Sequence, residues 1–546
     1  MQTPGRSARG AHPTWAWSVV AVAAVAGLVL RILIHTSSLG VLDADEAVWG
    51  LMSRHVLEGD VSAFYWGQGY GGTLEVLLSV PFVAVSSSVW AIRVIPVVLT
   101  AVAAILVWRV GRRTIGEPAA TVAGAIFLVW PAYLVWKSTR AHGFYSSGLV
   151  LGTLILLLVL RLAESRSRRD TALLGLTLGL GVWQTPQIVP IVVPSLAWLT
   201  FRRRSAWRDA WVAVPLILVG ALPSIVSNVR HDWWSFRLDS GDTPYVPRVR
   251  GFLSATIPMT LGIRVPFTSE WLVGAGVSAA LYVALVGTLV VVAWRLRGSS
   301  MLLLVAVVAA YPFLAALSPS TWITDEPRYV VMAVPALVLL LASPLTSPVR
   351  AWAGLSFAVA LTTVTLLEIP GPEYDQRADG QFVPHELGPL VTELDRRAIS
   401  AVFTDYWVAY PLLFRTNERI VAAEADLATL AVRGGRVAPK VPKRASDIRW
   451  RPYDDLVRRA PEPGWVLLAT SEAERRWRPL LEREGYARTR VGGFAVYGRP
   501  GRVAGSVGGQ YGAGARTRSR TRTGATLERV RAAPEAQPRT STTRKG

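Results

Sequence analysis

The sequence predicts an α-helical polytopic membrane protein of about eleven transmembrane helices, followed by a small α/β domain. Three observations carry that prediction. Apolar residues make up 51% of the 546-residue chain and charged residues only 17%. The apolar residues gather in long, nearly uncharged blocks between positions 15 and 369, and after 369 the composition returns to that of a soluble domain. A soluble chain needs more charge to cover its surface, whereas ~18 consecutive apolar residues are enough to cross the hydrocarbon core as a helix.

The net charge of +21 points at first to nucleic acid. The basic residues, however, lie in short loops between apolar blocks and in the last 46 positions, 501–546. That is where topology signals sit, so a nucleic-acid groove is not expected. Cysteine is absent, which excludes disulfides and thiolate metal sites.

Taken in order, Arg6 and Arg9 precede an apolar run at 15–34. A cleaved signal peptide would begin similarly, but the run is long and further blocks follow, so an uncleaved first helix after a cytoplasmic tail (1–14) is expected. The remaining spans are expected at 90–108, 118–136, 145–160, 171–183, 186–201, 209–228, 271–293, 300–318, 328–345 and 349–369. The arginine groups 109/112/113, 161/166/168/169, 202/203/204/208 and 295/297 then face the cytoplasm, with the N-terminus inside and the C-terminus outside the cytoplasmic membrane. This threading requires that 73–86, short and interrupted by Pro81, not cross; a re-entrant or interfacial segment suits it. The pair 171–183 and 186–201 turns at Trp183-Gln184-Thr185-Pro186 and reads as a shallow helical hairpin.

Segments 36–88, 229–270 and everything after 369 are left outside. Within 370–500, short buried strands are expected at 401–403 and 465–469. Ser471 and Glu474 have the spacing of a capping box, Gly485 suits a helix stop, and Gly492-Gly493 a turn between two final strands. The segment 501–546, rich in Gly, Arg, Ser and Thr, reads as a disordered basic tail.

Candidate chemistry lies in the outer segments. Asp43, Asp45 and Glu46 follow the first span. A solvated loop would carry such charges too, but Val48, Leu51, Met52 and Val56 fall on one helical face that ends at Gly59. An amphipathic helix on the membrane surface would hold the carboxylates at the interface, where desolvation and like charge suit a general base. Residues 64–75, "FYWGQGYGGTLE", interleave Phe64, Tyr65, Trp66, Gln68 and Tyr70 with glycines that let backbone approach a ligand. They read either as interfacial anchors or as a sugar platform. Glu75 then enters an apolar stretch, a costly place for an acid. Lys137, Arg140, His142 and Tyr145 form an outer group that runs against the positive-inside bias. Arg328 and Tyr329 stand where the tenth span begins; a helix N-terminus with an Arg seats a phosphate, and an Arg there can also snorkel to lipid.

The Asp45-Glu46 pair, "WGQGYGG", the 131–145 loop and "EPRY" before a late helix together resemble the GT-C superfamily of membrane glycosyltransferases. The resemblance is to its protein O-mannosyltransferase and aminoarabinose-transferase-like branch and covers 15–369. The segment "TDYWVAYPLLFRTNERIVAA" looks like the outer domain of some bacterial members. No β-trefoil module of the kind some eukaryotic O-mannosyltransferases carry is visible.

The resemblance implies transfer of a sugar from a polyprenyl-phosphate donor to an acceptor hydroxyl at the outer face. It gives the base role to Asp45, with Asp43 leaving the choice open and Glu46 or Asp43 orienting the acceptor. Arg328, with Lys137 or Arg140, would hold the phosphate, and the aromatics at 65–70 with Glu75 would frame the sugar. A single displacement would invert the anomeric centre. The expected partners are the donor, membrane lipids, and an acceptor protein, glycolipid or cell-wall glycan. No cofactor is expected; the carboxylates could bind a divalent cation, but no His has recognisable ligand spacing. The alternatives are a transporter or lipid flippase, which would carry charges near the midplane, and a non-catalytic scaffold with an outer sensor domain.

Overall fold

Each apolar block expected to cross does form a helix; one of them breaks at a proline and another opens as 3₁₀ turns. The computed structural model describes residues 14–236, 243–295, 299–369, 377–378, 381–425, 431–433, 436–438 and 448–499. The tail at 501–546 and nearly all of the N-terminal tail lie outside the described residues. The chain divides into two compact units, Met1–Asp375 and Gln376–Gly546.

The first unit is helical. Among the described residues, five of its helices are long and apolar enough to cross a membrane: Thr14–Thr36, Val89–Thr114, Tyr145–Glu164, Arg204–Arg230 and Pro348–Glu368. Shorter apolar helices include Leu74–Val85, Glu117–Val129 and Met301–Ala315. The expected block 118–136 breaks into Glu117–Val129 and Ala132–Lys137, because Pro131 lacks an N–H and keeps Trp130 out of the α conformation. The Leu128 carbonyl at the broken end accepts a 2.8 Å hydrogen bond from Arg31, whose side chain also reaches Ser138 Oγ at 2.8 Å. Block 328–345 opens as two 3₁₀ turns, Pro327–Tyr329 and Val331–Ala333, before the α-helix Val334–Ala342.

The expected shallow hairpin is replaced by a different pairing. Helix Arg168–Gln184 lies along Ala210–Arg230, and three glycines bring the backbones together. A Cβ on Gly179 would stand 2.2 Å from the Ile217 carbonyl oxygen, and one on Gly220 2.6 Å from that of Leu176. Small residues allow such close crossings between membrane helices. Three of the basic loops meet at one end of the bundle, where Arg113 pairs with Glu164 at 3.0 Å, Arg161 with Asp170 at 2.8 Å, and Arg166 with Asp209 at 2.5 Å.

Ala44–Leu57 is a helix, as the spacing predicts, and Gly59 (φ +91°) follows its end. It does not lie on a surface, however: from Glu46 to Ser53 every residue is buried. Its polar side is buried too because cations from other elements meet it there.

The second unit holds a five-stranded sheet in the order Val421–Glu424, Ala401–Thr404, Gly464–Leu468, Phe494–Gly498, Ala487–Val491. The first three strands run parallel, and Phe494–Gly498 pairs antiparallel with the strand on either side of it. Ser471 caps helix Glu472–Arg483 by accepting from the Glu474 amide at 3.0 Å. The Glu474 carboxylate goes instead to Arg488 and to the Tyr497 hydroxyl, at 2.8 and 2.6 Å. Gly485 (φ +84°) ends the helix and Gly492 (φ +54°) turns the final hairpin.

The glycine crossing is testable by its cost. Gly179→Leu must push backbone aside and is expected to lower stability by more than the ~1–3 kcal/mol usual for overpacking. Gly287→Leu, on an exposed helix face with nothing within 4 Å of a new Cβ, should be neutral or slightly stabilising. Unfolding temperatures of the purified variants in detergent check both; equal losses would contradict the close crossing.

Candidate active site

The end of the bundle opposite the basic loops is organised around Glu46. Its carboxylate is 0% exposed and accepts from Arg93 Nε at 2.8 Å, from Arg140 Nε and Nη2 at 3.2 and 3.0 Å, and from the Ala141 amide at 2.9 Å. Burial alone would raise its pKa, but the Arg93 and Arg140 charges and the Arg93 hydrogen bond outweigh it and hold the group at about 2. Arg93 also meets His35 Nδ1 at 2.8 Å.

Asp43 is committed in the same way. Its Oδ1 caps the Ala44–Leu57 helix by accepting from the Glu46 amide at 2.8 Å. Its Oδ2 takes Arg140 Nη2 at 2.9 Å and His142 Nε2 at 2.5 Å. The His142 pKa falls well below the ordinary histidine value, through burial first and then the Lys137 and Arg140 charges. His142 is therefore not one of the outer cations that its place in the sequence suggested. Asp43, Glu46 and His142 bring possible ligand atoms within 4.8 Å of one another, a grouping that sequence spacing did not reveal. Arg140 already occupies both carboxylates, so a cation there would compete with a guanidinium for the same oxygens.

Asp45 differs from its neighbours. Its side chain is half-buried, and its backbone carbonyl accepts the Tyr65 hydroxyl. Asp45 and Arg328 both act electrostatically on the Tyr145 hydroxyl, as do Tyr70 and Tyr329. Lys137 Nζ lies over the Tyr145 ring, 4.6 Å from its centroid. Five expected site residues (Tyr70, Lys137, Tyr145, Arg328, Tyr329) thus gather near Asp45. Arg328 stands in a 3₁₀ turn rather than at an α-helix N-terminus and pairs with Glu326. Glu326 also accepts from Tyr133 at 2.7 Å, which joins this turn to the 131–145 segment.

Other expected residues turn inward. Tyr65 and Trp66 are buried, and Trp66 packs edge-on against His55 at 4.9 Å. The glycines serve the protein's own packing rather than a ligand. A Cβ on Gly71 (φ +78°) would meet the Phe144 ring at 2.6 Å, and one on Gly72 would meet Gln184 Oε1 at 2.6 Å. Gln68 lies half-buried in this loop. Glu75 is 1% exposed and accepts from the Ser147 amide and hydroxyl, both at 2.7 Å, so it ties Leu74–Val85 to Tyr145–Glu164.

Arg31, His35, Arg93 and Gln184 belong to this architecture and were not singled out from the sequence. The signal for the arginines was present, since a cation inside an apolar block is costly and marks a partner. Gln184 clamps Gly72 by donating from Nε2 to its carbonyl at 2.8 Å and accepting its amide on the main chain at 3.0 Å.

Replacing Glu46 by Gln leaves two buried guanidiniums facing a neutral amide and should cost about 3–5 kcal/mol, whereas Asp45→Asn should cost less than ~1 kcal/mol. The folded-state pKa of Glu46 is depressed, so its contribution is complete above the ordinary value of 4.5 and lost as pH falls toward about 2. Unfolding temperatures measured from neutral pH down to pH 2 should show an acid limb that is reduced in Glu46→Gln.

Residues 78–229 match the dolichyl-phosphate-mannose-protein mannosyltransferase family. No curated protein sequence matches the chain. Its fold is similar to ArnT from Cupriavidus metallidurans bound to undecaprenyl phosphate, with TM-score 0.59 and 14% identity over 92% of this chain and 100% of that one. The apo state of the same protein gives 0.60 and 14% over 91% and 99%. An Archaeoglobus fulgidus oligosaccharyltransferase gives 0.49 and 15% over 88% and 72%. The resemblance read from the sequence therefore stands: the chain has the fold of the GT-C membrane glycosyltransferases, and residues 78–229 carry the mannosyltransferase family's pattern.

Proposed function

We propose that this chain is a glycosyltransferase that moves a sugar from a polyprenyl-phosphate-linked donor to an acceptor hydroxyl at the outer face of the cytoplasmic membrane. The observation that carries the reading is the division of labour among the three first-loop carboxylates. Asp43 and Glu46 are 1% and 0% exposed and held by Arg93, Arg140 and His142. Asp45 lies between them in sequence, is half-buried, and acts with Arg328 on the Tyr145 hydroxyl. The undecaprenyl phosphate bound by the similar ArnT supports the class of donor.

In this reading Asp45 is the base. It takes the proton of the acceptor hydroxyl, and the oxygen's electron pair forms a bond to the anomeric carbon. The bond from that carbon to the phosphate oxygen breaks with its pair left on the phosphate, inverting the centre in one displacement. A phosphate monoester is a good leaving group, so no strong acid is required. Arg328 and Lys137 meet the charge that grows on the phosphate. Asp43, Glu46 and Arg140 hold the loop in shape instead of orienting the acceptor. No cofactor is proposed; a divalent cation at Asp43 and Glu46 would compete with Arg140 for the same oxygens. The donor's sugar is a hexose or a pentose, and the acceptor a protein, glycolipid or cell-wall glycan.

A transfer assay on purified protein tests the reading, using radiolabelled polyprenyl-phosphate sugars as donors and a membrane extract as acceptor. Asp45→Asn should lose at least about 10²-fold in rate, the contribution of a positioned base, while its unfolding temperature stays near that of the parent. Near-normal transfer in that variant would remove Asp45 from the mechanism. Absence of transfer from every donor by folded wild-type protein would remove the enzyme reading itself.

A further inference from the structure

We propose that Arg168 and Trp211 form a seat for the headgroup phosphate of an anionic phospholipid, at the end of the bundle opposite the Glu46 cluster. The seat requires only that the chain spans a membrane, so it is independent of the glycosyltransferase reading.

It begins with a surplus of positive charge. The carboxylates in or beside the three basic loops that meet at this end are Glu117, Glu164, Asp170 and Asp209. Each is already paired, with Arg112, Arg113, Arg161 and Arg166 respectively. Arg168 has only a share in one of these pairs. Its Nε stands 3.6 Å from Asp209, a buried carboxylate that Arg166 approaches to 2.5 Å. With Nε the nitrogen nearest that carboxylate, the two Nη groups are left for another anion. Arg169 and Arg208, next in the chain to Arg168 and Asp209, are exposed and make no ion pair among the described residues. Cations that outnumber their partners attract an anion from outside.

A topological bias accounts for the number of arginines at this end, but not for the placement of one of them on an indole. The Arg168 guanidinium lies over the Trp211 ring, 5.7 Å from its centroid, although the two side chains are 70% and 65% exposed. A guanidinium stacked on an aromatic face keeps its edge N–H groups open to an oxyanion, which they can meet with two bonds at once. Tryptophan is also the side chain that settles at headgroup level, with an apolar body and a polar N–H.

A track for the tail continues from the seat. Trp211, Val214, Leu218 and Leu222 recur at helical spacing along Ala210–Arg230, and each is more than half exposed. An apolar stripe that starts at a cation and an indole has the order of parts of a phospholipid, phosphate first and acyl chain after it. A soluble phosphate compound would leave the stripe uncovered. The headgroup must carry net negative charge, because a choline cation would meet Arg169 and Arg208.

The test uses the purified full chain in detergent. Phosphatidylglycerol, phosphatidylcholine and undecaprenyl phosphate are titrated separately, and bound lipid is counted by native mass spectrometry. Phosphatidylglycerol should bind at least about tenfold more tightly than phosphatidylcholine. Arg168→Gln should weaken phosphatidylglycerol about tenfold or more, the loss of a charge-assisted contact. Arg166 still holds Asp209 in that variant, so its unfolding temperature should stay near the parent's. Trp211→Leu keeps an apolar side chain at an exposed position and probes the seat without touching an ion pair. It should weaken phosphatidylglycerol about three- to tenfold. Arg109→Gln removes the same charge from an exposed position in another of the three loops and should cost less than about threefold. Equal losses in Arg168→Gln and Arg109→Gln, no loss in Trp211→Leu, or equal binding of the two phospholipids means a diffuse field and overturns the proposal. Undecaprenyl phosphate weakened by Arg168→Gln as much as phosphatidylglycerol overturns the phospholipid as occupant and gives the seat to a polyprenyl carrier.

Discussion

The site depends on one buried charge cluster: the Glu46 carboxylate held between Arg93 and Arg140, with Asp43 sharing Arg140. Each member would be expensive to bury alone, and the attraction between them repays that cost only when the full set of hydrogen bonds is made. The Ala141 amide and the second oxygen of each carboxylate complete that set. The cluster joins three stretches of chain: the loop after the first helix, the start of Val89–Thr114, and the segment after Ala132–Lys137. It therefore acts as a positional lock rather than as a large source of net stability.

Helical geometry then decides which of the three carboxylates face the guanidiniums. Residues three apart share a face of a helix, and the residue between them points elsewhere. Asp43 and Glu46 are three apart, one as N-cap and one in the first turn, so both face the guanidiniums. Asp45 is turned away from that face and, half-buried, acts together with Arg328 on the Tyr145 hydroxyl. The order Asp-Ala-Asp-Glu thus separates, within one turn, a pair that anchors from the carboxylate proposed as the base.

The glycine-rich loop has packing partners that its composition does not reveal. Spacing and composition marked 64–75 as part of the site, and Tyr70 does come to the group around Asp45. The glycines, expected to face a ligand, instead admit Phe144, Gln184 and Ser235. Glu75, expected to frame the sugar, is a buried tie to Ser147. A glycine's freedom is visible in sequence, but the identity of the atom that comes close to it is not.

Local properties were decided by the sequence alone: where apolar blocks become helices, where Pro131 breaks one, where Ser471 starts and Gly485 stops another. These depend on residues within a turn or two of each other, and the relevant forces act at that range. The tertiary structure decided which charges meet. Glu46 finds Arg93 and Arg140 across 47 and 94 positions, and Arg31 finds the Leu128 carbonyl across 97. No periodicity encodes such separations. Only the packing of helices brings those groups within hydrogen-bond distance, and the low-dielectric surroundings then bind an ionised group to whatever opposite charge lies within reach.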